Sequence, residues 1–111
     1  NIPYTLGRLF AVYEEVKERA NPGINATIKD KYFNSAAATP ATIFPILDNL
    51  CQKHLRKLDA GSRISLDRQI STLKNVLGET NPTRLTLPEQ GSFNLGYYHQ
   101  KQFRFTKKED K

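Results

Sequence analysis

Apolar residues that recur at every third or fourth position share a face only in a helix, and they recur that way along nearly the whole chain. No stretch longer than four residues alternates apolar and polar convincingly, so strands have no support. Leu66, Ile70, Leu73 and Leu77 follow a 4-3-4 spacing, the narrow seam of antiparallel bundle packing. They predict a helix from Ser62 or Arg63 to Leu77, closed by Gly78.

Four further helices are expected. The first, about Tyr4 to Ala20, carries Leu6, Leu9, Phe10, Tyr13 and Val16 on one face and stops at Asn21-Pro22-Gly23. The second, about Asn25 to Ala37, can be capped by Asn25 or Thr27, with Asp30 in its first turn. Ile24, Ile28, Tyr32 and Phe33 form its apolar side. The next starts at Thr39-Pro40, where proline suits the first helical position, and runs to about Leu58. Its wide stripe (Ile43, Phe44, Leu47, Leu50, Cys51, His54, Leu55, Leu58) predicts the central helix, with Asp59-Ala60-Gly61 as its end. The last opens on a capping box, Thr86 with Glu89 three residues on, and runs to about Arg104. Gly91 and Gly96 inside it each cost about 1 kcal/mol relative to Ala, which predicts close approach of another backbone. The expected fold class is all-α, a compact bundle of about five helices in a single domain spanning residues 1–111. Tyr4, Phe10, Phe44, Leu47, Leu66, Leu73 and Phe93 are its expected core.

A chain of 111 residues can bury one core unaided. Seventeen Lys and Arg against eleven Asp and Glu give a net charge of +6, which attracts polyanions, though the same charge also suits ordinary solubility. One Cys excludes an internal disulfide framework, and one Cys with two His leaves too little for structural zinc. No apolar run approaches the ~18 residues of a membrane span, and no secretory leader is visible, so the expected location is the cytoplasm. Met is absent even at position 1, so Asn1 is read as either a processed end or the edge of this sequence, and not as a biological terminus.

Lys53, Arg56 and Lys57 stand at i, i+3 and i+4, away from the apolar stripe, where they could track a phosphate backbone or simply line a solvated face. The segment Tyr97 to Lys108 interleaves aromatics with cations, a mixture that suits unpaired bases. Core packing accounts for most of those rings: Phe93, Tyr97, Gln100 and Phe103 share one face, Leu95, Tyr98 and Phe105 another. Cys51 and His54 lie one turn apart, but no orienting group or oxyanion hole accompanies them, so Cys51 is read as a buried structural thiol. His99 is read as a hydrogen-bonding or interface residue. Glu14, Glu15 and Glu18 are expected on a solvated face or docked on a protein neighbour. No catalytic residue, metal site or cofactor is assigned. Phosphate contacts are assigned to Lys53, Arg56, Lys57, Arg63, Arg68, Lys101 and Arg104, with Lys29 and Lys31 behind them.

Three segments carry a resemblance: YTLGRL at residues 4–9, NPGINATIKDKYFNSAAATP at 21–40 followed by Ile43-Phe44-Pro45, and LGYYHQKQ at 95–102. Together they resemble the C-terminal region of the large subunit of type I-C CRISPR effector complexes (Cascade). In such systems that region is also made separately as a small subunit. The resemblance implies a helical, non-catalytic subunit that holds the guide RNA–target DNA duplex and supports the displaced DNA strand. It implies as partners the guide RNA, the target DNA, the backbone and large subunits, and a second copy of the chain. Guide pairing reads the sequence in such complexes, so backbone contacts suffice from the protein. Two other readings stay open: an assembly scaffold that touches no nucleic acid, and a free-standing helical DNA-binding module.

Overall fold

The computed structural model describes residues 1–24 and 27–109, with side chains up to Phe105. Five helices and no strand occur among the described residues: α1 (Ile2–Ala20), α2 (Ile28–Ala38), α3 (Pro40–Leu55), α4 (Ala60–Leu77) and α5 (Leu87–Glu109). The all-α bundle expected from periodicity is the fold.

Most helix starts are chemically specified. The Asn1 side chain accepts from the Tyr4 N–H at 3.1 Å, so α1 begins at Ile2, two residues before the expected start at Tyr4. Thr27 and Asp30 form a reciprocal capping box for α2; Asn25, the other candidate cap, lies outside the described residues. Asp59 does not end α3 but caps α4, accepting from the Ser62 N–H at 3.1 Å. Hydrogen bonding from Ser62, its side chain first and then its N–H, holds the Asp59 carboxyl below its ordinary pKa. α3 ends at Leu55, because the chain tightens into a turn in which Leu58 tucks back into the core. Thr86 and Glu89 bond reciprocally at the head of α5, as their spacing predicts.

The central helix is α1, not α3. Between Thr5 and Val16 every residue except Arg8 is buried, and α1 packs against all four other helices. Its apolar stripe meets the aromatic heart of the bundle, where Phe10 makes edge contacts with Phe33, Phe93 and Tyr97 at centroid distances of 5.4–6.0 Å. α3 by contrast leaves Pro45 and Ile46 exposed. Tyr4, expected in the core, is half-buried, and its hydroxyl shares a 2.8 Å hydrogen bond with His99 Nδ1.

α1 and α5 touch backbone to backbone. A Cβ added at Gly7 would lie 2.0 Å from the Phe93 carbonyl oxygen, and one at Gly96 would lie 2.0 Å from that of Tyr4. The close approach predicted for Gly96 is therefore real. That predicted for Gly91 is not, since nothing lies within 4 Å of its added Cβ. Gly7 is the partner that periodicity does not reveal.

Candidate nucleic-acid interface

The corner between α3 and α4 gathers exposed cations. Lys53 faces away from the α3 core stripe, and Arg56 and Lys57 follow in the turn that Leu58 anchors. The Lys57 N–H donates to His54 O (3.0 Å) and that of Leu58 to Leu55 O (3.1 Å), so these side chains project from a closed turn. Arg63 is partly exposed beyond the corner, and its guanidinium reaches back to the Leu58 carbonyl at 3.4 Å. Arg68 lies on the side of α4 opposite Leu66, Ile70 and Leu73, in solvent. The ion pairs among the described residues do not include Lys53, Arg56, Lys57, Arg63 or Arg68.

Lys17 of α1 belongs to this corner, although its place in the sequence does not suggest it. The Lys17 and Lys57 charges both act on His54, and Asn21 Nδ2 donates to its Nδ1 at 3.2 Å. Partial burial, then the nearby Lys57 and Lys17 charges, hold the His54 pKa below its ordinary value. The sign of the linkage follows. Below about pH 6.5 the unfolded chain takes a proton that the folded chain resists, so stability falls as pH drops through the ordinary histidine range. Urea titrations of the wild type at several pH values should show that loss, and His54→Gln should flatten it.

Lys101 and Arg104 are placed elsewhere. Lys101 Nζ lies 3.6 Å from Glu14 and 3.3 Å from the Tyr97 hydroxyl. Arg104 donates to Glu18 at 2.7 Å and lies 3.6 Å from Glu15. Both cations are drawn into a polar seam between α1 and α5, where neighbouring carboxylates neutralise them. The solvated or docking face expected of Glu14, Glu15 and Glu18 needs correcting on the same ground. Glu14 and Glu15 are buried at 3% and 6% exposure, leaving no surface to offer a partner subunit; Glu18 stays half-exposed but paired. Glu14 accepts from the Tyr97 hydroxyl at 2.5 Å, and Arg19 closes on Glu15 at 2.8 Å. Burial, followed by the Glu14 carboxylate, pushes the Tyr97 phenol well above its ordinary pKa.

Lys29 donates to the Tyr98 hydroxyl at 2.8 Å and sits among the rings of Phe33, Tyr97 and Tyr98. Lys31 is exposed beside Tyr32. Cys51 is buried, and burial reinforced by Asp48 pushes its thiol up to about 12, so it stays protonated. His54 meets Asn21 through its Nδ1, and the Cys51 thiol is no ready nucleophile, so the two do not form a nucleophile–base pair. Among the described residues no group of three His, Cys, Asp or Glu could hold a metal ion. No described helix is long and apolar enough to cross a membrane.

Fold and surface define a class, an all-helical bundle with a cationic corner and an internally neutralised acidic seam. The family follows from comparison. The model for the CRISPR-associated protein family Cas_Csd1 matches residues 1–105, so the chain belongs to that family. A search of curated proteins finds no match.

Proposed function

We propose that this chain is a non-catalytic small subunit of a type I-C RNA-guided surveillance complex in the cytoplasm. It holds the guide RNA–target DNA duplex and the displaced DNA strand through phosphate contacts. It works beside the backbone and large subunits and a second copy of itself. The supporting observation is the α3–α4 corner, where Lys53, Arg56, Lys57, Arg63 and Arg68 reach solvent outside the bundle's ion pairs, in a chain of a CRISPR-associated family. Exposed cations that need not leave an internal carboxylate are free to release counterions from a polynucleotide. A site that reads no bases suits a complex in which guide RNA does the reading. Lys101 and Arg104 drop out of the phosphate-binding set, because each would first have to give up a carboxylate partner.

Reversing Lys53, Arg56 and Lys57 to Glu tests the reading. Capture of target DNA by the assembled complex should weaken tenfold or more at moderate salt, and the salt slope should fall by about three, one for each phosphate no longer neutralised. The same variant should melt like the wild type, since all three side chains lie in solvent. Unchanged affinity and slope would leave only a solvated face. A crosslinking map with no RNA or DNA adducts on this chain would make it a pure assembly scaffold.

A further inference from the structure

We propose that Tyr98 is a preset stacking platform for an unpaired base, on a face made by α2 and α5 rather than by α3 and α4. This rests on the nucleic-acid role proposed above and names the form that this second face takes, a single strand. Tyr98 is 51% exposed, whereas its neighbour Tyr97 is fully buried. An exposed tyrosine ring would ordinarily sample several rotamers. This one is pinned, because Lys29 Nζ donates to its hydroxyl at 2.8 Å.

The position of that ammonium matters. It is 2.8 Å from the oxygen but 5.0 Å from the ring centroid, so it stands beyond the hydroxyl end and not over the ring face. Lys29 is itself held, 5.3 Å from the Tyr97 centroid and 5.5 Å from that of Phe33. The ring is thus fixed before any ligand arrives, which lowers the ordering cost of binding.

The surroundings select the ligand. Leu95 and Phe105 share the outward side of α5 with Tyr98, at i−3 and i+7, and both are exposed. The α2 edge beside Tyr98 carries Lys29, whereas Lys31 lies on another side of the helix beside Tyr32. Its one carboxylate, Asp30, is engaged in the capping box of α2. An apolar ring with a cation at its edge fits an occupant that is flat and apolar in its centre and anionic along its edge. A single strand has both features. A duplex hides its base faces and offers only the edge.

The test compares two short single strands of equal length and charge, one with bases and one abasic, by fluorescence anisotropy on the full chain. Wild type should bind the intact strand about tenfold more tightly than the abasic one, within the range that one stacked base supplies. Tyr98→Ala should bring that ratio close to one, while Tyr98→Phe should keep most of it. Circular dichroism melts should show both variants folded, since the side chain is half in solvent. A ratio that survives Tyr98→Ala overturns the proposal. So does Tyr98→Ala that spares strand binding but stops entry into the complex, which would assign the face to a protein. Equal binding of both strands, abolished by reversing Lys53, Arg56 and Lys57, overturns stacking alone and leaves the phosphate-rail role standing. Binding of neither strand overturns both.

Discussion

Gly96→Ala should lower the stability of the bundle by about 3 kcal/mol and its thermal midpoint by more than about 10 °C. The new Cβ would lie 2.0 Å from the Tyr4 carbonyl oxygen and 3.2 Å from the Arg8 nitrogen, both backbone atoms that no rotamer change can move. Relief requires α5 to separate from α1, and that loosens the packing of Phe10 on Phe93 and Tyr97. Alanine's better helix propensity returns only about 1 kcal/mol. Gly7→Ala should behave alike, because its Cβ would meet the Phe93 carbonyl in mirror fashion. Gly91→Ala is the matched control in the same helix. With nothing within 4 Å, it should raise stability by up to about 1 kcal/mol. Urea unfolding followed by circular dichroism separates the three. Equal effects at Gly91 and Gly96 would mean that the helices are not in backbone contact.

Tyr97→Phe should cost about 2 to 3 kcal/mol, although it changes no packing volume to speak of. The ring would keep its place against Phe10 and Phe33, but Glu14 would lose the donor at 2.5 Å while remaining buried. Lys101, at 3.6 Å, is too distant to replace a direct hydrogen bond. Glu14→Gln should be milder, since its amide oxygen can still accept from Tyr97. The double variant Tyr97→Phe with Glu14→Leu should recover part of the loss, because removing both partners leaves no orphaned polar group. A double-variant cycle in urea gives the coupling directly. Coupling near zero would show the seam to be incidental to stability.

Periodicity and capping chemistry make the five helices legible, since both are local. Thr86 with Glu89, Thr39 with Pro40, and Leu66 to Leu77 each announce their structure within a few residues. Even the close approach at Gly96 is visible as a glycine where a helix resists one. The placement of charge is not. Glu14 and Glu15 look like surface residues until Tyr97, Lys101 and Arg104 arrive from more than eighty residues away. The same distant pairing ties Lys101 and Arg104 to carboxylates and helps to make α1, not α3, the hub. The exposed cations of the α3–α4 corner are readable because each needs only a position off the apolar stripe. Lys17 escapes such a reading because it joins that corner through His54, on another helix.

The pairing of α1 with α5 has a bearing on how the bundle acquires its shape. Of the five helices, the first to leave the ribosome finds its main partner in the last, so the decisive pairings are among the longest-range ones the bundle permits. Until Phe93 and Tyr97 emerge, Phe10 and Gly7 of α1 lack the α5 partners they pack against. A nascent chain stalled before α5 should therefore be more open to proteolysis than one carrying all five helices.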